Sequence, residues 1–269
     1  MEEKTKDFLA GRVRDLATRA YMNNFVTHTD FLSVSEIAMF HQILSAEGVS
    51  PNVHEYCGAK YVIYGGFDEA ERAMICFLPD YMDEETFLMM EKSESSVCSC
   101  VRIRPVNKKF ADELNHRDYL GSLMNLGIER DQLGDILTGD DVAYVFATMD
   151  IAQMICNELI RIKHTSVKCE IVTSDECNIR PKFEEVTGSV ASERIDAILA
   201  FVYHLSRSEA QKLIESESVF IDGRTAYSGG YDLKEGARVS VRGHGKFIYL
   251  GMQNTTRKGR LFISVNKFI

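Results

Sequence analysis

Two groups of residues in this 269-residue chain have types and spacings that could do chemistry. The first is a run of cations, Arg194, Arg207, Lys212, Arg224, Arg238, Arg242 and Lys246, followed by Arg257, Lys258 and Arg260. Guanidinium and ammonium groups in such number can hold phosphate oxygens, and Ser206 and Ser208, on either side of Arg207, add neutral hydrogen-bond donors. The second is His116-Arg117-Asp118-Tyr119. Its aspartate could act as a base or nucleophile, and Arg117 with Tyr119 could touch a second stretch of an anionic polymer.

The elements that position the first group can be read from apolar spacing. Ile195, Ile198, Leu199 and Val202 stand at i, i+3, i+4 and i+7, which predicts a helix with one inward face. Ser206 and Glu209 have capping-box spacing and open a second helix after a tight turn, with Ala210, Leu213 and Ile214 inward and Ser208, Gln211 and Lys212 turned away. Arg207 falls in the first turn of that helix, where a positive charge is disfavoured by the helix dipole, so its presence argues for an external anion. Val219 and Ile221 then alternate with polar neighbours, and Asp222-Gly223 reverses the strand. A second turn at Lys234-Glu235-Gly236 leads into a strand whose Val239 and Val241 point one way while Arg238, Ser240 and Arg242 point the other. Helix pair and basic strand are expected to form one docking surface. Arg257, Lys258 and Arg260 are expected in a turn between strands at Phe247 to Leu250 and Leu261 to Val265, reaching further backbone.

The net charge of −9 would by itself argue against a nucleic-acid partner. Its distribution argues otherwise. From Gly188 onward there are twelve Lys and Arg against eight Asp and Glu, a surplus of +4, which leaves −13 on the first 187 residues; no acidic residue follows Glu235. The acidic start MEEKTKDF has no apolar core of a signal peptide, and no apolar run is long enough to span a bilayer. Seven cysteines without a C-x-x-C pair predict a reducing cytoplasm and buried thiols, with Cys98 and Cys100 the one close pair. No metal or cofactor is expected, nor is a membrane or DNA partner.

The fold class expected is α+β, in three parts. Residues 1-80 read as a helical unit ending in a β-hairpin: Phe8, Leu9, Val13, Leu16, Ala17 and Ala20 are at helical spacing, a second helix after Ser33 or Ser35 ends at Gly48, and two strands flank Gly65-Gly66. Residues 81-180 read as β-α-β-β-α-β, the ferredoxin or RRM-like order. Such a sheet can bind RNA on its open face, but the basic-Gly-aromatic signature of an RRM strand is missing. Residues 188-269 form the third domain, after a polar boundary at Pro181 to Ser189.

Four ordered blocks in that third domain, Arg194-Ile195-Asp196, Ser206-Arg207-Ser208, Val219 to Gly223 and Gly236 to Val241, resemble the S4 (αL-type) RNA-binding domain. Glu217-Ser218 stands where that family usually has a glycine. Nearly the whole chain is similar to the bacterial YlmH-type S4-domain proteins, through His116 to Gly121, Gly127-Ile128, Gly134 to Leu137, and the basic ending at Gly243 to Phe247 and Thr256 to Arg260. The resemblance implies a non-catalytic factor on structured RNA, rRNA or tRNA of the large ribosomal subunit, with a role in rescue of stalled translation. The rival is an RNA-modifying enzyme of the pseudouridine-synthase kind, but there S4 usually precedes a larger catalytic domain, whereas here it follows one of about 90 residues. A kinase reading of His116-Arg117-Asp118 fails for lack of a phosphate loop and a D-F-G metal site.

Overall fold

The computed structural model of the chain describes residues 2–49, 54–68, 70–256 and 259–269. It divides into two compact units, 1–180 and 181–269.

The first unit opens with α1 (Glu2–Asn23), β1 (Thr27–His28), α2 (Val34–Ala46), β2 (Glu55–Tyr56), β3 (Ala59–Tyr64) and β4 (Met74–Leu78). Leu9, Val13, Leu16, Ala17 and Ala20 form the buried stripe of α1, while Phe8 lies outside it and is exposed. Ser33 caps α2 through a reciprocal pair with Glu36, and Gly48, at φ +76°, follows its last turn. The strands form an antiparallel sheet in the order β1-β4-β3-β2. Strand β4 is buried along its whole length. Its residues divide by the period of two: Ile75 and Phe77 pack with the two helices, while Met74, Cys76 and Leu78 enter a second cluster on the opposite face.

What covers that opposite face is the next sheet. After α3 (Glu84–Glu94) come β5 (Ser99–Pro105), α4 (His116–Asn125), β6 (Leu133–Thr138), β7 (Ala143–Ala147), α5 (Met149–Glu158), β8 (Arg161–Ile162) and β9 (Thr165–Val172). The sheet order β6-β7-β5-β9-β8 is that of a ferredoxin-like β-α-β-β-α-β domain with a short hairpin strand added at one edge. Val101, Ile103, Val145 and Ala147 face α4 and α5, whereas Cys100, Tyr144, Phe146 and Val172 face Phe31, Met74, Cys76 and Leu78. The sheet face that an RRM leaves open is therefore sealed here. The parts expected as separate domains, 1-80 and 81-180, share one buried layer. All seven cysteines are unpaired; Cys76, Cys98, Cys100 and Cys177 are buried, but Cys57 is exposed.

The second unit has β10 (Phe183–Val190), α6 (Ile195–Val202), α7 (Arg207–Glu215), β11 (Val219–Ile221), β12 (Arg224–Thr225), β13 (Arg238–Val241), β14 (Gly245–Thr255) and β15 (Leu261–Phe268). Six strands make one antiparallel sheet in the order β10-β15-β14-β13-β11-β12, and α6 and α7 pack on one face through Ile195, Ile198, Leu199, Val202, Ala210 and Ile214. Strand β10 is a difference from expectation. The stretch 181–189, read as a boundary, pairs residue for residue with β15 from Phe183 to Val190, so this unit begins ahead of residue 188. Among the described residues no helix is long and apolar enough to cross a membrane.

Candidate nucleic-acid interface

The helix pair owes its charge arrangement to one buried acid. Arg194 occupies the N-cap of α6 without capping it, and Asp196, in the first turn, is buried to 9% side-chain exposure. Arg194 Nε and Nη2 donate to Asp196 Oδ1 and Oδ2 at 3.2 and 3.0 Å, and Arg207 Nη2, from the first turn of α7, reaches Oδ2 at 3.4 Å. Two guanidinium groups thus converge on one carboxylate while keeping 44% and 61% of their own surface in water. The anion that the sequence argument sought outside the protein is in part internal. The cluster still carries a net positive charge, and its cations are oriented before any ligand arrives, which reduces the ordering cost of binding an oxyanion.

The Ser206 backbone N–H and hydroxyl donate to Glu209 Oε2 at 2.7 and 2.6 Å, and Glu209 N–H donates back to Ser206 Oγ at 3.2 Å. The Ser206 hydroxyl is therefore occupied by the cap. Ser208 lies with its Oγ 3.0 Å from that of Ser206 and is exposed, as is Lys212 one turn on. The carboxylate of Glu209 is held below its ordinary pKa, first by the Ser206 hydroxyl and then by the Ser206 backbone N–H.

The other expected cations do not all join this cluster. Register sets Ser240 opposite both Phe220 and Lys246, and Val239 opposite Ile221 and the core residue Phe247. Arg238, Arg242 and Lys246 accordingly share the sheet face turned away from the helices, where the Arg242 guanidinium sits 5.0 Å over the Phe220 ring. The cations expected on a single surface thus lie on two faces, one on the helix pair and one on the back of the sheet. Arg224, opposite Ile221 on the edge strand β12, is on the helix side. Arg260 donates through Nη2 to the Ser189 carbonyl at 2.7 Å, a tie that engages part of its guanidinium with the chain itself. Arg257 and Lys258 lie outside the described residues.

In the first unit the His-Arg-Asp segment is a helix start. Asn115 caps α4, and Asp118 Oδ2 accepts the Asn115 backbone N–H at 2.9 Å and the Lys163 ammonium at 2.7 Å. These contacts, the backbone one first, hold the Asp118 carboxyl below its ordinary pKa, which weakens it as a base. Arg117 is exposed. Tyr119 is a correction: it is buried among Leu123, Val145 and Ile155, so its ring has no face to offer RNA. The Gly134-Asp135 segment is internal as well. Asp135 Oδ2 accepts the Glu71 backbone N–H at 2.6 Å, and burial raises its pKa. A Cβ on Gly134 would stand 2.7 Å from Phe31 and 2.9 Å from the Phe146 Cβ. Among the described residues no group of three or more His, Cys, Asp or Glu could hold a metal ion.

Sequence reasoning missed the role of Asp196 as shared anchor, although Arg-x-Asp at a helix start was a legible signal. It also missed two exposed tyrosines, Tyr227 and Tyr231, in the loop that crosses the start of α6.

Residues 98–176 match the family described as a putative RNA-binding domain in YlmH, and residues 193–239 match the S4 domain. The chain is 26% identical over 200 residues, 73% of each protein, to ribosome-associated protein quality control protein P2 of Bacillus subtilis (strain 168). A solved structure, cell division protein ylmH from Streptococcus pneumoniae, aligns with a TM-score of 0.45 and 21% identity over 66% of this chain and 92% of that one.

Proposed function

We propose that this chain is a YlmH-type S4-domain protein and a non-catalytic RNA-binding factor that docks on structured RNA of the large ribosomal subunit, rRNA or tRNA, and acts in rescue of stalled translation. The observation that carries the docking is the pair of guanidinium groups, Arg194 and Arg207, fixed on the buried Asp196 at the junction of two helices. A rigid, water-facing pair of cations is complementary to the phosphates of a folded RNA backbone, whose spacing is itself fixed. The name of the Bacillus subtilis relative supports the ribosomal setting, and that setting implies a cytoplasmic protein. Arg238, Arg242 and Lys246, on the other sheet face, would meet a second RNA segment, and Arg117 is a candidate contact in the first unit.

The enzyme reading loses its best candidate because Asp118 is committed to Asn115 and Lys163. Crosslinking of the full chain in cells, with sequencing of the bound RNA, tests the proposal. Reads concentrated on large-subunit rRNA or tRNA, and lost in Arg207→Glu, are expected. Reads spread evenly over messenger RNA, or a nucleoside modification that appears only with the protein present, would overturn it.

A further inference from the structure

The S4-type hairpin is followed by Tyr227-Ser228-Gly229-Gly230-Tyr231, a loop whose backbone is tied to the start of α6. Ile195 N–H donates to the Tyr231 carbonyl at 2.8 Å, Asp196 N–H to the Gly229 carbonyl at 3.3 Å, and Leu233 N–H to the Glu193 carbonyl at 3.0 Å. The first donors of α6, left without partners inside the helix, are satisfied by the loop, so the loop is the cap of that helix. Gly230 N–H bonds the Ser228 hydroxyl at 3.2 Å and tightens the turn. The loop lies close against both helices: a Cβ on Gly229 would stand 3.2 Å from the Asp196 Cβ and 2.4 Å from Oε1 at the movable end of Gln211.

This fixed backbone presents two aromatic rings to water. Tyr227 is 80% exposed and Tyr231 46%, and among the described residues neither packs against another aromatic ring. One exposed tyrosine is ordinary; two on either side of three small residues, beside a cation cluster, are a different matter. A Cβ built on Gly230 would be 3.9 Å from both Cζ and Nη2 of Arg194, so the loop runs within contact distance of the guanidinium bonded to Asp196.

We propose that Tyr227 and Tyr231 form a stacking site for an unpaired base of the bound RNA, next to the Arg194 and Arg207 pair that takes its phosphate. The inference deepens the RNA-docking reading and rests on it. The chemistry fits one nucleotide in each part: an anionic phosphate for the guanidinium groups, a flat π-face for the phenol rings, and small loop residues that let a base come close to the backbone. The rings hang on a cap that is already ordered, and a tyrosine has only two side-chain torsions to freeze, so little entropy is lost on stacking. An RNA duplex alone would leave both rings uncovered, since paired bases show no face.

The test uses the full-length chain and two RNA hairpins, one fully paired and one with a single unpaired 2-aminopurine. Wild type should favour the bulged hairpin and quench the 2-aminopurine. Tyr227→Ala and Tyr231→Ala should each lose about tenfold in affinity for the bulged hairpin, with no change for the paired one and no change in salt dependence. Tyr→Phe at either position should behave as wild type, because stacking uses the ring and not the hydroxyl. Wild-type affinity in both alanine variants, or equal losses on the two hairpins, would overturn the stacking site and leave phosphate docking intact. Failure of wild type to bind either hairpin would sink the docking reading, and this inference with it.

Discussion

Arg207→Ala is the perturbation that most directly tests whether the helix pair meets phosphate. Arg207 contributes the longer of the contacts to Asp196, at 3.4 Å, and Arg194 retains its two-point contact when Arg207 is removed, so no buried charge is orphaned. With 61% of the Arg207 side chain in water, the stability change should stay within about 0.5 kcal/mol. The effect on RNA should be much larger. Each phosphate neutralised releases condensed counterions and steepens log affinity against log salt by about 0.7 to 0.9. A fourfold rise in salt then costs about threefold in affinity per contact, and about thirtyfold for Arg207, Lys212 and Arg242 together. The assay is a salt titration of wild type and the three single alanine variants against a structured RNA and a single-stranded control. Each substitution should flatten the slope by slightly under one unit for any RNA of similar shape. A residue that reads bases would instead lose affinity for one sequence and keep the slope. Unchanged slopes in all three variants would refute phosphate docking by the helix pair and by the back of the sheet. A change for Arg242 alone would assign the RNA to the sheet face.

Arg194→Ala should behave differently from Arg207→Ala, because it leaves the buried Asp196 with only a 3.4 Å contact; a loss of about 1–2 kcal/mol is expected in urea unfolding of the C-terminal unit, and equal stability of the two variants would contradict the anchor role. Gly134→Ala forces a methyl against Phe31 and Phe146, both buried, and should lower the stability of the first unit by about 1–3 kcal/mol while leaving the salt slope of RNA binding unchanged. The Glu209 cap should weaken in acid. Its folded pKa lies below the ordinary 4.5, so the stability it lends α7 is fully present above that value and is lost as pH falls through the folded value. Amide exchange at Ser206 between pH 6 and pH 3 reports this, and Glu209→Gln should remove the dependence.

The parts legible in the sequence were those in which a side-chain period and a turn signal agreed. The helix pair is an example, with its stripe from Ile195 to Val202 and the Ser206-Glu209 box, and so is the hairpin at Asp222-Gly223. In the central β-α-β-β-α-β order, the helix α5 was legible for the same reason, through the spacing of Ile151, Met154 and Ile155. Strand β10 was not. Phe183 to Val190 offers little to read, because Gly188 interrupts the pair Val186 and Val190 that packs on the helix-side core, while the pairing to β15 and the Phe183–Phe268 ring contact at 4.7 Å depend on a distant strand. The division of the cations between two faces was illegible from composition, since it depends on which strands are neighbours. Tyr119 was misplaced by its company: three polar residues precede it, yet it stands four positions before Leu123 on the buried stripe of α4.

The sealed sheet changes what the central domain can contribute. In an RRM, aromatic rings on the open face stack RNA bases. The equivalent positions here are Tyr144 and Phe146, which are buried against the N-terminal sheet, and Arg102, whose guanidinium is paired with Glu170 and Glu176. Any contact from this domain must therefore come from its helix side or its loops, where Arg117 is exposed at the start of α4. Even there the balance is unfavourable, since the first 187 residues carry −13 and repel a polyanion beyond the range of a single arginine. The surplus of +4 in the remainder attracts it. Under the proposed RNA docking, attraction by the C-terminal part and repulsion by the rest would bias how the molecule approaches RNA, so the steering would be set by the charge division along the chain and the fit by the guanidinium pair on Asp196.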